Sequence, residues 1–204
     1  MHKHVRELHY IVAIANIPSI LEQGILSNEK VSRISHVSVA RDEVQERRDK
    51  KRIPKGLPLH AYVNLYLNAR NPMLYYLLRN ALDDLCVLII ESSVIASPGV
   101  VIADRNASSD YVTFCSPSEA MQKLDFNRIY SRYWTHPDDP IEELIHKSII
   151  CAEVLVPHVV VAKYITGAYV ASNNSRDHIL REGFDREVVV KPDMFFNRQI
   201  RRRE

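Results

Sequence analysis

The sequence predicts an α+β domain. Three observations carry that reading: helix start and stop signals cluster in the first half, short β-branched runs take over from residue 86, and 46% of the 204 residues are hydrophobic. A chain of this length and apolar content can bury a sizeable core, and the expectation is one domain spanning 1–204.

Taken in order, residues 8–13 form an apolar run suited to a strand. Asn16 precedes Ile17 and Pro18, with proline near the first helical turn where its missing N–H costs nothing, and Gly24 supplies the stop. Residues 40–53 read as a strongly charged helix ending before Pro54, Gly56 and Pro58. Residues 59–68 alternate loosely and suit a strand or an irregular segment. Asn71-Pro72 opens another helix with Met73, Leu74, Leu77 and Leu78 on one side. Beyond it come the β-branched runs 86–91, 99–103, 111–115, 149–156, 158–164 and 187–191. Ser116-Pro117-Ser118-Glu119 is a capping box, predicting a helix to about Leu124. Residues 137–140 read as a loop. Strands late and helices early make α+β rather than an alternating α/β pattern.

The composition excludes disordered, collagen-like and coiled-coil classes. No apolar stretch approaches the ~20 residues that span a bilayer, and Met1 to Arg6 lack the apolar region of a secretory signal. Cys86, Cys115 and Cys151 are odd in number and widely spaced, the pattern of buried thiols in a reducing compartment. A cytoplasmic protein without a membrane anchor, acting as a monomer, is expected. The net charge is only +2, yet Arg41, Arg47, Arg48, Lys50, Lys51 and Arg52 crowd one segment and Arg198, Arg201, Arg202 and Arg203 another. Such strips attract phosphate locally. Asp42, Glu43, Glu46 and Asp49 interleave with the first strip, so charge pattern alone is met equally by a solvated helix face.

Several chemistries lack their motifs. Nine histidines invite a metal site, but no CxxC or HExxH occurs, and His136, His146 and His158 have no partner at ligand spacing. No metal is expected. The five glycines form neither GxGxxG nor a P-loop, and no GxSxG elbow is present. Glu153 stands out because it interrupts the apolar run 149–156. A carboxylate there either faces solvent from an edge strand or is held in a cleft, since burial without a partner is costly. Arg48 reads, from its surroundings alone, as an exposed helix arginine.

Four stretches give the sequence a resemblance. They are His9-Tyr10-Ile11-Val12-Ala13-Ile14-Ala15-Asn16-Ile17-Pro18-Ser19-Ile20-Leu21, Val44-Gln45-Glu46-Arg47-Arg48, residues 59–74 from Leu59-His60-Ala61-Tyr62 to Asn71-Pro72-Met73-Leu74, and Ala152-Glu153-Val154-Leu155-Val156. In this order they are similar to the DarT family of bacterial DNA ADP-ribosyltransferase toxins, and the likeness runs nearly end to end. The resemblance implies an ADP-ribosyltransferase fold, two facing β-sheets around a central NAD cleft with flanking helices. It implies NAD as ADP-ribose donor, a thymine or guanine base of single-stranded DNA as acceptor, and a macrodomain antitoxin as partner.

Residue by residue, the resemblance implies that Glu153 and Arg48 are catalytic. Glu153 would stabilise the oxocarbenium-like sugar, and Arg48 would bind a donor phosphate and assist deprotonation of the accepting base. Tyr10, Ile11, Val12, Ser19 and Ser27 would line the donor pocket, beneath a covering element at 31–53. Tyr66, Arg70, Met73, Asn106 and Lys147 would meet the DNA. One departure is plain: Tyr10 stands where most family members carry His. Neighbours on a strand face opposite sides, so Tyr10 is expected in the pocket and His9 out of it. That substitution leaves two alternatives in view: a catalytically silent nucleic-acid-binding relative, and a transferase whose acceptor is RNA or protein.

Overall fold

The computed structural model describes residues 5–39, 42–80 and 84–196. Of the residues named above, Arg41 and the arginines from Arg198 onward lie outside them, as do His2 and His4 among the nine histidines.

The chain opens with β1 (Glu7–Ala13), whose alternation sends Leu8 and Val12 to one core layer and Ile11 to another. A single 3-10 turn leads into α1 (Ile17–Gln23), which carries Pro18 in its first turn and stops at Gly24 with φ 80°. A Cβ at Gly24 would sit 2.6 Å from the carbonyl oxygen of Val160, so both backbone conformation and space demand glycine there. Short pieces follow: β2 (Ile25–Leu26), α2 (Asn28–Val31) and the charged α3 (Asp42–Asp49). The segment 59–68 begins as a 3-10 turn at Leu59–Ala61 and continues as β3 (Tyr62–Tyr66). In α4 (Pro72–Arg79) the fully buried Asn71 is the N-cap, accepting from the amides of Met73 and Leu74.

The second half holds β4 (Leu85–Glu91), β5 (Val101–Ala103), β6 (Phe114–Cys115), α5 (Pro117–Lys123), α6 (Phe126–Ile129), α7 (Pro140–Ile149), β7 (Glu153–Pro157), β8 (Val159–Val160), β9 (Ile165–Val170), α8 (Asn173–Arg181) and β10 (Glu187–Val190). The capping box at Ser116 forms as expected, with Glu119 reaching back to the Ser116 amide. Other expectations need correction. Helices are not bunched early, because α5 to α8 all follow residue 116. The loop at 137–140 is a helix start, with the Asp139 carboxylate capping the amides of Ile141 and Glu142. The run 149–156 is not one strand: α7 continues through Ile149, and β7 begins only at Glu153.

Among the described residues, eight strands join in the order β10-β9-β4-β1-β3-β7-β5-β6, and β2 pairs with β8 in a separate ribbon. The large sheet is split. β1 pairs with β4 along its whole length, from Glu7↔Glu91 to Ala13↔Leu85, and β3 pairs with β7 from Tyr62↔Pro157 to Tyr66↔Glu153. Yet β1 and β3 touch at one ladder pair, His9↔Tyr66. Two four-stranded halves thus meet at a seam, which is the expected pair of sheets around a cleft. Val12, Val63, Leu65, Leu88, Val154 and Val156 supply one core layer across that seam. Ile11, Leu74, Leu77, Val87 and Phe195 supply the other.

Candidate active site

A cavity of about 650 Å³, in the range of small-molecule and cofactor sites, lies at the seam. Both halves line it, with Tyr10, Ile11 and Val12 from β1 and Tyr62, Val63, Asn64 and Tyr66 from β3. Its floor carries Glu153, 1% exposed, and Arg48, 6% exposed. The Arg48 Nη1 donates to both carboxylate oxygens, at 3.0 Å to Oε2 and 3.3 Å to Oε1. The backbone N–H of Ala107 donates to Oε1 at 3.0 Å. Three charge-assisted contacts therefore satisfy a carboxylate that water scarcely reaches. Placement at the first residue of β7, paired with Tyr66 on one side and Ala103 on the other, points Glu153 at the seam. Arg48 is accordingly not the exposed helix arginine that its charged neighbours suggest.

The surroundings are poor in solvent. Burial pushes the phenol of Tyr10 and the thiol of Cys151 up to about 12, and the Glu153 charge adds to the latter. Burial, reinforced by Glu153, raises Tyr66 well above the usual phenol range. These groups stay neutral and present apolar rings and weak dipoles to the cavity, so charge–charge interactions inside it are strong. His60 lines the same wall. Burial and then Arg48 lower its pKa, Asp49 Oδ1 lies 3.5 Å from Nδ1, and its Nε2 is buried without a partner.

The segment 31–39 and α3 roof the cavity, contributing Val31, Ile34, His36, Val37, Val44 and Gln45. The Asn16 side chain fixes this roof by donating to the Val37 carbonyl at 2.8 Å and accepting from the Val37 amide at 2.9 Å. Asn28 ties α2 to α3 through Gln45 at 3.2 Å.

Of the residues the sequence singled out, Tyr10, Ile11, Val12, Ser19, Arg48, Tyr66, Met73, Asn106, Lys147 and Glu153 all line this cavity. His9 lies outside it, its Nε2 donating to the Glu7 carboxylate at 3.1 Å, whereas Tyr10, Ile11 and Val12 all reach the cavity, so alternation separates His9 from Tyr10 but does not continue along β1. Two residues are placed otherwise. Ser27 is 1% exposed and lies behind the wall, its Oγ unpartnered and its amide donating to the His158 carbonyl. Arg70 does not reach the cavity: its guanidinium donates to the carbonyls of Asp193 and Arg132 and lies 4.3 Å from the Phe196 ring centroid. In this position it staples two chain segments together. Lys147 is held by Glu143 at 2.6 Å, and the side-chain Oδ1 of Asn106 accepts from the amide and hydroxyl of Ser108. Ala107 escaped the sequence reading because its contribution is a backbone N–H. His60 was within a quoted stretch but carried no signal of its own.

His136 Nε2 lies 2.8 Å from His146 Nδ1, and His146 Nε2 lies 3.0 Å from the Arg128 carbonyl. Among the described residues no group of three or more metal-ligating side chains converges. All three cysteines are buried and free, and no described helix is long and apolar enough to cross a membrane.

A split mixed sheet with a buried glutamate at the seam defines an ADP-ribosyltransferase fold. Solved DarT structures share it: the Thermus sp. 2.9 DarT in complex with ADP-ribosylated ssDNA superposes with a TM-score of 0.82 at 23% identity, covering 95% of this chain and 98% of that one. The Thermosipho africanus DarTG in complex with ADP-ribose gives 0.80 at 29% identity, covering 94% and 51%. The family model described as "ssDNA thymidine ADP-ribosyltransferase, DarT" matches residues 9–196, and the chain belongs to the DarT family. In sequence it is 32% identical to a DNA ADP-ribosyl transferase–DNA ADP-ribosyl glycohydrolase fusion protein of T. africanus, over 96% of this chain. The chain spans about half the length, 51%, of that relative.

Proposed function

We propose that residues 1–204 act as one NAD-dependent transferase domain that attaches ADP-ribose to a base of single-stranded DNA. The observation that carries this reading is the Arg48–Glu153–Ala107 constellation at the floor of a cavity of cofactor size. Family membership supports it, as do the Thermus sp. 2.9 DarT complexes with NAD+ and with ADP-ribosylated ssDNA. Thymine is the acceptor favoured by the description of the matched family.

Glu153 has the role of stabilising charge that develops on the donor. As the glycosidic bond of NAD breaks, the bonding pair returns to nicotinamide and the ribose becomes oxocarbenium-like. A fixed carboxylate in a water-poor site favours that positive charge without reorganisation. Ala107 and Arg48 keep the carboxylate aimed, and the remaining edge of the guanidinium is available to a donor phosphate. Because guanidinium stays charged in proteins, it assists proton removal in concert: it takes the proton of the base nitrogen as it hands one to Glu153. Tyr10, Val12, Ser19, Tyr66, Met73, Asn106 and Lys147 all line the cavity; in this reading the first three receive the donor, with Tyr10 in the role the resemblance gives to a histidine, and the other four meet the acceptor strand.

A macrodomain antitoxin is the partner that fits a toxin of this class, and the fusion of transferase to glycohydrolase in T. africanus supports that pairing. Cytoplasmic DNA is the target. The test is transfer of label from NAD to single-stranded DNA, RNA and protein in parallel, followed by mass spectrometry of released nucleosides. Label on DNA alone is expected; label on RNA or protein alone, or none, overturns the reading.

A further inference from the structure

Tyr111 is 82% exposed, the most exposed large apolar side chain among the described residues, and it borders the cavity. A lone exposed apolar residue needs no explanation in itself, but tyrosine is enriched at interaction surfaces, and this one stands at the mouth of the candidate site. The loop that carries it is not loose. Asn106 donates its amide to the Ser148 carbonyl at 2.9 Å, and Ala107 donates to Glu153 itself. Lys51, two residues beyond the end of α3, donates to the Ser109 carbonyl and pairs with Asp110 at 3.4 Å. Asp104 accepts from the Thr113 amide at 2.9 Å, closing the loop on its far side. A backbone tied at both ends and in the middle thus presents a bare ring at the cavity mouth, in fixed register with the Glu153 carboxylate.

We propose that Tyr111 is the stacking platform for a nucleobase of the acceptor strand. The inference rests on the DNA-transfer reading and adds an acceptor-binding residue to it. A preorganised ring loses little freedom on binding, and stacking on an aromatic tolerates any base because every base has a π-face. Lys51 acts as a positioning residue, coupling the roof over the donor pocket to the loop that meets the acceptor.

The test compares wild type, Tyr111→Ala, Tyr111→Phe and Tyr111→Trp for binding of a fluorescent mixed-sequence single-stranded oligonucleotide, alongside titration with NAD. Tyr111→Ala should weaken oligonucleotide binding about tenfold or more. Phe and Trp should stay within about twofold of wild type, and NAD affinity and melting temperature should be unchanged in all four, because the side chain packs against nothing. In the transfer assay Tyr111→Ala should raise KM for DNA and leave kcat nearly intact. Equal binding by Tyr111→Ala and wild type overturns the proposal, as does a Phe variant as weak as Ala, or a wild type that binds no single strand. Loss of labelled product with the oligonucleotide-binding differences intact sinks the transfer reading alone.

Discussion

Arg48 and Glu153 are 105 residues apart in sequence, yet Nη1 of the first lies 3.0 Å from Oε2 of the second with both side chains almost sealed from water. That contact joins the roof helix α3 to the far half of the split sheet, so the site is assembled by the tertiary fold and not by any local motif.

Breaking this pair from one side should be far worse than removing it whole. Arg48→Ala leaves a buried carboxylate with only the Ala107 amide, and an uncompensated buried charge costs about 3–5 kcal/mol. Replacing both partners with methionine leaves no charge to desolvate. Urea unfolding should place Arg48→Ala about 3 kcal/mol or more below wild type, with Arg48→Met/Glu153→Met recovering much of that loss. A double variant no better than Arg48→Ala contradicts the account.

Asn71 links packing to the site through a helix start. Its Oδ1 accepts from the amides of Met73 and Leu74, at 2.9 and 3.1 Å, and its Nδ2 donates to the Asn68 carbonyl at 2.8 Å. Asn71→Ala should cost about 2 kcal/mol, combining a lost N-cap with buried groups left unmet. Because Met73 lines the cavity, the affinity for DNA should fall as well. Chemical denaturation with m unchanged would report the first effect and oligonucleotide titration the second.

His60 gives the protein an acid-sensitive wall. Burial and Arg48 set its folded pKa below the ordinary value, outweighing the opposing pull of Asp49. A depressed folded pKa means that the unfolded chain takes the proton first as pH falls below about 6.5. The His60 contribution is therefore complete above that pH and is lost as pH drops through the folded value. His60→Gln should flatten the melting-temperature profile as pH falls below about 6.5. A profile as steep as wild type would rule this out.

Local signals in the sequence were read well where side chains act on their own backbone. The Asn16–Pro18–Gly24 helix, the Asn71 cap and the Ser116 capping box are such cases. α7 keeps helical spacing at Ile141, Leu144, Ile145 and Ile149, but its end merges with the β-branched run before Glu153, which hides it in the sequence. α8 was missed because its sequence is mostly polar, and β9 because Gly167 interrupts it where the Glu187 carbonyl approaches. The pairing of Arg48 with Glu153 carries no local signature at all. Composition and spacing left both residues open, and only the ordered likeness to a family brought them together. Nor does the sequence show that the segment around Asp193 and Phe196 engages the Arg70 guanidinium, a contact made 123 residues away.

The most direct test of the central claim uses Glu153→Gln, which keeps shape and removes the negative charge. Wild-type protein, NAD and a single-stranded oligonucleotide should yield DNA heavier by one ADP-ribose unit, read by intact mass. Glu153→Gln should fold, bind NAD and form that product at least about 10²–10³-fold more slowly. Product formed by Glu153→Gln at the wild-type rate would contradict the account.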